Sequence, residues 1–280
     1  MDAKQLFDDV SQRASQQTTQ AYSTSFSLGI ACLNANIKNP IYGIYGFVRF
    51  ADEIVDSFHD FNKKELLEEF RQDTFKAIDR GISLNPILNS FQHAVNDFKI
   101  DHKLIHTFLD SMEMDLHDVK YTQANYEKYI LGSAEVVGLM CLKIFVLGDE
   151  TLYEKLKPNA MKLGSAFQKI NFLRDVKDDF EDLGRNYFPN VNIANMTNEE
   201  KAEIEADIKA DFEAGYEGIL QLPKRARFGV YLAYVYYFGL FKKIQNTPSS
   251  QIKKERIRIP NFGKYGLFVS SYVRHNIGIL

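Results

Sequence analysis

Residues 41–56 read IYGIYGFVRFADEIVD, and their pattern decides the fold class. At about 100° per residue, a helix brings Tyr45, Arg49, Asp52 and Asp56 into an arc of roughly 60°. The other positions are almost all apolar, among them Ile44, Phe47, Val48, Phe50, Ala51, Ile54 and Val55. A helix that is apolar on nearly every side is a buried helix. Its acidic stripe therefore faces a partner or a polar cavity. Two carboxylates buried without compensation cost several kcal/mol each, so positive charge is required opposite them. Arg49 supplies one such charge.

Residues 168–189, QKINFLRDVKDDFEDLGRNYFP, repeat the arrangement. Gln168, Asn171, Asp175 and Asp179 span roughly 80° of one helical face. Leu163, Phe167, Ile170, Leu173 and Val176 flank them, while Lys177, Asp178, Glu181 and Asp182 read as the solvated side. One acidic pair at a spacing of four is ordinary on a solvated helix face. Two pairs in largely apolar helices, each joined by arginine and neutral hydrogen-bonding groups, are not. Like charges at that spacing repel, and gathering four of them calls for a cation. Oxygen donors without His or Cys suit Mg²⁺, with Mn²⁺ as the substitute. The physical reading is a helical bundle with Mg²⁺ and diphosphate held in a central cavity between two carboxylate helices. Metal ions so placed neutralise the charge that develops on a diphosphate leaving group.

Outside these stretches the apolar period is helical nearly throughout, which makes the chain all-α. Helices are expected near 3–33, 39–59, 63–80, 84–98, 102–117, 123–148, 151–184, 198–221, 225–246 and 261–276. Asn39-Pro40 is read as the start of the second, and Thr197 with Glu200 as a capping box. Only Ile257–Ile259 hints at strand alternation. No linker or repeat divides the 280 residues, so residues 1–280 are read as one domain. Hydrophobic residues at 45% and charged residues at 25% exclude a disordered chain. The net charge of −3 gives no electrostatic footprint for nucleic acid. Cys32 and Cys141 make no disulfide framework, which fits a reducing cytoplasm. The N-terminus has no apolar signal-peptide core. Val136–Leu147, the most apolar stretch, is short and contains Lys143, and so reads as a buried helix.

Further motifs accompany the stripes. Asp52 and Asp56 form D-x-x-x-D, preceded by Tyr45 and Arg49. The second stripe, Gln168, Asn171, Arg174, Asp175 and Asp179, is followed by Gly184, Arg185, Tyr187 and Pro189. Tyr22-Ser23-Thr24-Ser25-Phe26 precedes both, and Tyr129, Ala134, Val137 and Gly138 lie between them. Together these resemble the squalene/phytoene synthase family, the head-to-head (1′–1) prenyl synthases, from about residue 15 to residue 265. The family's H-S-K-S-F becomes Y-S-T-S-F here, so its His and Lys are replaced. Ser133 and Glu135 depart from the central segment. Lys254–Ile259 matches the family's R-x-V-x-V stretch more weakly.

The resemblance implies an isoprenoid-synthase-type bundle and a two-step reaction. One allylic diphosphate ionises and the second molecule's double bond attacks the cation. Proton loss closes a cyclopropylcarbinyl diphosphate, which ionises again and rearranges. It further implies that Asp52, Asp56, Asp175 and Asp179 ligate the metal. Arg49, Arg174 and Arg258 contact phosphate oxygens. Tyr45, Gln168 and Asn171 hydrogen-bond the diphosphate or position a base, and Ser25, Phe26, Tyr129, Val137 and Tyr187 contact substrate. Ile30, one turn beyond Phe26, leaves more depth than an aromatic there. The expected substrate is therefore geranylgeranyl diphosphate and the product phytoene, with no NADPH. The alternatives are a farnesyl diphosphate-using relative making squalene, dehydrosqualene or hydroxysqualene, and a non-catalytic prenyl-diphosphate-binding protein.

Other signals stand apart. His102 and His106 lack the Glu and third ligand of a zinc helix and read as a solvated face. Asp115 reads either as a family position or as a residue that caps or pairs locally. The basic residues Lys242, Lys243, Lys253, Lys254, Arg256 and Arg258 read either as a soluble surface or as a peripheral membrane patch. No hydrophobic anchor is read after residue 265.

Overall fold

Short polar side chains start most of the helices. Asn34, Asn62, Asn85, Asp101 and Thr122 each accept a hydrogen bond from a first-turn N–H of the helix that follows. In the computed structural model of the chain, these helices are α1 (Ala3–Tyr22), α2 (Thr24–Ala31), α3 (Ala35–Asp56), α4 (Lys63–Arg80), α5 (Pro86–Phe98) and α6 (His102–Met114). They continue with α7 (Gln123–Ile130), a π turn at Leu131–Glu135, α8 (Val136–Phe145), α9 (Glu150–Glu181), α10 (Asn198–Gln221), α11 (Lys224–Gln245) and the short α12 (Ser249–Ile252). The structure describes residues 2–117, 121–181, 186–189, 191–252, 254, 256–259 and 271, without the side chains of 178–181 and 194. Among the described residues there is no strand, Ile257–Ile259 included.

Several boundaries differ from the sequence reading. The expected first helix breaks at Ser23, whose extended backbone (φ −147°, ψ 106°) lets its hydroxyl accept from Phe26 N at 3.2 Å. That local bond competes with continuing the helix. Asn34 caps α3 a turn earlier than expected, so Pro40 lies inside the helix rather than at its start. The expected 123–148 helix is interrupted by the π turn. Residues 182–185 and, Ser271 apart, the expected 261–276 helix lie outside the described residues. The Thr197–Glu200 capping box is present as expected.

Among the described residues two large hydrophobic cores form, with a smaller one around Leu139, Leu142, Tyr153, Leu156 and Leu222, and the space between the large two is the important feature. One gathers α3, α4, α5, α6 and α8 around Phe47, which is fully buried and stacks on Phe91 at 3.9 Å. Phe70 and Phe108 lie within 5.5 Å of Phe47. The other core gathers α7, α9, α10 and α11 around Ile170, Leu173, Phe212 and Phe241. Between them α2 packs on α3, α3 on α8, α8 on α9, α9 on α11 and α11 back on α2. These five helices close a ring.

Two joints with neighbouring helices brace the ring. A Cβ at Gly132 would lie 2.5 Å from Ser111 Cβ and 2.7 Å from Thr107 O, so the π turn meets α6 where only glycine fits. Between α9 and α10, buried Asp211 accepts hydrogen bonds from Ser165 Oγ and Lys169 Nζ, both at 2.7 Å, and pairs with Lys162 Nζ at 2.8 Å. Burial alone would raise its pKa, but these donors together hold it below the usual carboxylate range. No helix among the described residues is long and apolar enough to cross a membrane.

Two stability outcomes follow from these joints. Gly132→Ala overpacks the α6 contact and should destabilise by about 1–3 kcal/mol, lowering the thermal midpoint by several degrees. An unchanged midpoint would show that the contact yields. Asp211→Asn removes the counter-charge shared by Lys162 and Lys169, although Lys169 keeps Asp207, and should cost about 1–3 kcal/mol near neutral pH. Because the native carboxyl titrates low, its contribution is present above the unfolded carboxylate range and is lost as pH falls through the folded pKa. The gap between wild type and variant in urea melts should therefore narrow on acidification. A gap that holds constant with pH contradicts this.

Candidate active site

Each polar stripe reaches the inside of the ring because the opposite face of its helix is committed elsewhere. Phe47, Ala51 and Ile54, on the back of α3, lie in the first core. Ala166, Ile170 and Leu173, on the back of α9, lie in the second, and Lys169 is tied to α10 through Asp211. The inner residues of both stripes are left facing a common cavity of about 370 Å³, whose lining does not include Asp56, Arg174 or Asp175. Tyr45, Arg49 and Asp52 line it from α3, and Gln168 and Asn171 from α9. The rest of its lining is almost entirely apolar or aromatic, with Phe26, Ile30, Tyr129, Val137 and Tyr237 among the residues that matter here.

The polar groups carry their own counter-charges. The Arg49 guanidinium pairs with both Asp52 and Glu53, and Tyr22 stacks over it with its ring centroid 4.3 Å from the guanidinium carbon. One guanidinium therefore serves two carboxylates. Tyr22 stands where the resembling family carries His. Asp175 is gripped by Arg174, whose Nε lies 2.9 Å from Oδ1, and by Arg256, whose Nε lies 2.7 Å from the same oxygen. Asp56, the last residue of α3, is half-buried one turn beyond Asp52. The side chain of Asp179, together with Gly184 and Arg185, lies outside the described residues.

Two cavity-wall atoms are buried with no hydrogen-bond partner among the described residues, the donor Arg49 Nε and the acceptor Asn171 Oδ1. Such orphans are expensive unless something completes them. Asn171 otherwise donates weakly to Gln168 Oε1 at 3.4 Å. Both orphans belong to the two stripes.

Below the polar mouth an aromatic collar closes in. Phe26 lies 5.8 Å from Tyr45 and 5.6 Å from Tyr237, and Phe167 stacks on Tyr237 at 4.2 Å. Burial pushes the Tyr237 phenol up to about 12, and Tyr45 and Asp175 add to this against Arg174. Tyr237 thus senses both stripes. Burial also raises Tyr45, although Arg49 and a hydrogen bond with Ser23 oppose it. Tyr129 rises well above the usual tyrosine range through burial and the adjacent Asp115 carboxylate, to which its hydroxyl donates at 2.6 Å. All three phenols stay protonated at neutral pH. They are hydrogen-bond donors, and their ring faces can stabilise a cation.

The remaining expected residues fall as follows. Tyr187 is buried and stacks on Phe172 at 4.1 Å and beside Tyr129 at 5.2 Å, so it supports the cavity wall from behind. Ser25 is half-buried on α2 and is not among the residues lining the cavity; its neighbour Ser23 reaches Tyr45 instead. Arg258 is exposed, and its carbonyl accepts from Lys243 Nζ at 2.7 Å. Arg256, two residues earlier, is the arginine on Asp175. In the sequence it belongs to the basic cluster and to the weakly matching Lys254–Ile259 stretch, and nothing there separates it from Arg258. Tyr237 was one tyrosine among 15, with no charge pattern to mark it. Asp115, left open between a family position and local capping or pairing, pairs with Tyr129.

Comparisons with known proteins bear on the family and the fold. The chain is 29% identical over 199 residues to the 4,4′-diapophytoene synthase of Staphylococcus haemolyticus, covering 68% of this chain and 66% of that one. It is 30% identical over 173 residues to the presqualene diphosphate synthase of Rhodopseudomonas palustris, covering 60% and 59%. It is 27% identical over 183 residues to the phytoene synthase of Pseudescherichia vulneris, covering 62% and 58%. The matched region thus spans between 58% and 66% of these relatives' lengths. In fold it resembles a solved dehydrosqualene synthase, described in complex with ligand, at a TM-score of 0.81 and 18% identity over 98% of this chain and 99% of that one. The family profile described as squalene/phytoene synthase matches residues 19–263, and the chain belongs to that family of prenyltransferases.

Proposed function

We propose that the protein joins two geranylgeranyl diphosphates head to head to give phytoene, through a cyclopropylcarbinyl diphosphate and with release of diphosphate. The observation that carries the reading is the shared cavity, polar where α3 and α9 bring Tyr45, Arg49, Asp52, Gln168 and Asn171 together and apolar elsewhere. An amphiphile with a diphosphate head and a prenyl tail matches that division. Arg49, Arg174 and Arg256 are planar forks suited to phosphate oxygens. Asn171 and Gln168 hold the head, and the Arg49 Nε donor is free to reach a phosphate oxygen. Tyr45, Tyr129 and Tyr237, protonated at neutral pH, face developing positive charge with their rings.

The carboxylates suit Mg²⁺. Asp52, Asp56, Asp175 and Asp179 offer hard oxygens only, and no group of three or more His, Cys, Asp or Glu among the described residues makes an all-protein cage. Mg²⁺ is commonly held by one or two carboxylates plus substrate phosphates, which such a set can provide. When bound, the ion would neutralise charge on the leaving diphosphate. The arginines that pair with Asp52 and Asp175 would then be available to the diphosphate oxygens.

The C20 chain is supported by aliphatic Ile30 in the cavity wall beyond Phe26 and by phytoene synthases among the relatives. A second reading, condensation of farnesyl diphosphate, has its own support in the relatives named 4,4′-diapophytoene synthase and presqualene diphosphate synthase.

Purified protein given geranylgeranyl diphosphate and Mg²⁺ without NADPH should release diphosphate and yield a C40 hydrocarbon detectable by mass spectrometry after organic extraction. Chelation by EDTA should stop it. Product only from farnesyl diphosphate would decide for the second reading. Separately, Asp52→Asn and Asp175→Asn should each lower kcat on the order of 10²-fold or more while the helical circular dichroism persists, since each removes charge aimed at the reacting head. Variants that turn over normally would instead favour a binding protein or a different catalytic set.

A further inference from the structure

The cavity has a definite long axis. The chain turns at Cys32–Asn34 and Leu222–Pro223 lie at one end of the ring, and Val146, at the start of the α8–α9 turn, packs in one apolar cluster with Leu156 and Leu222. Asn34 N donates to Arg225 O at 3.0 Å, and Asn159 Nδ2, near the start of α9, donates to Ala214 O near the end of α10 at 2.8 Å. The polar mouth lies at the other end. The floor nearest the turns is made by Leu33, Phe145, Leu156, Leu222 and Val230, all apolar and each from a different segment.

Along α9 the lining runs from Asn171 at the mouth to Leu156 at the floor. At roughly 1.5 Å per residue that is a depth of about 22 Å. An extended prenyl chain needs about 5 Å per isoprene unit from ordinary carbon–carbon bond lengths, so three units need about 15 Å and four about 20 Å. Four units reach the floor without meeting it, and a fifth does not fit. Small residues, among them Ala134, Gly138, Ala160 and Gly164, leave the upper wall open. Ala160 sits one turn above Leu156 on the same face, about 16 Å from Asn171.

We propose that the prenyl tail lies along α9 toward the α8–α9 turn, and that Phe145 and Leu156 at the floor set the longest chain accepted at four isoprene units. This rests on the prenyl-diphosphate reading of the site. In this arrangement Ala160 is the position at which added bulk would cut the depth back to three units.

The test is the ratio of kcat/KM values for farnesyl, geranylgeranyl and geranylfarnesyl diphosphate, measured on the full chain. Wild type should favour the C20 substrate over the C25 one. Phe145→Ala and Leu156→Ala should each raise the C25-to-C20 ratio about tenfold or more, and Ala160→Phe should lower the C20-to-C15 ratio by a similar factor. A thermal melt beside each assay identifies the variants that fold, and the two truncations test the floor even where Ala160→Phe does not. A general loss of stability moves all chain lengths together and leaves the ratios alone. Folded, active truncations with unchanged ratios would overturn the floor assignment while leaving the reading of the site intact. A wild type inactive on every chain length overturns both.

Discussion

Close packing behind α3 and α9 is the constraint from which the rest of the site follows. A helix can rotate about its axis unless its back is keyed, and here both backs are. Phe47 is held among Phe70, Phe91 and Phe108, and Leu173 and Ile170 are fully buried in the opposite core. With 3.6 residues per turn, burying those positions leaves Tyr45, Arg49 and Asp52 on one side and Gln168 and Asn171 on the other no direction but inward. The ion cluster at Asp211 serves the same end for α9. Its side chains spring from a different face of the helix from Gln168 and Asn171, so the clamp restrains rotation without entering the cavity.

That rotation creates an electrostatic problem, which arginine offsets. Carboxylates at the rim of an apolar cavity are poorly hydrated, and each described one at the mouth has a guanidinium against it or against its neighbour. Arg49 is shared between Asp52 and Glu53, and two guanidiniums, those of Arg174 and Arg256, meet Asp175. Polar chemistry is confined to the mouth, and the collar of Phe26, Tyr45, Phe167 and Tyr237 separates it from the apolar depth.

Much of this was legible in order along the chain. The helical period of 41–56 and 168–181 is local, set by backbone geometry and the spacing of apolar residues, and the helices stand where that period put them. The family motifs were equally visible, because they are runs of adjacent residues. Boundaries were less so. Ser23 stops α1 through a single side-chain bond, and Asn34 starts α3 before Pro40, both small local preferences that compete with the longer pattern.

The sequence by itself determined that the protein is built of helices, which faces of them are polar, and which family it belongs to. Tertiary structure alone decided that Arg256 rather than Arg258 meets Asp175, that Asp115 pairs with Tyr129, that Tyr237 stands near both stripes, and that Phe145 and Leu156 line the same cavity as Arg49 and Asn171. The physical reason is distance along the chain. Periodicity specifies a direction around one helix axis, whereas a contact between segments depends on how whole helices pack, and no local pattern carries that information.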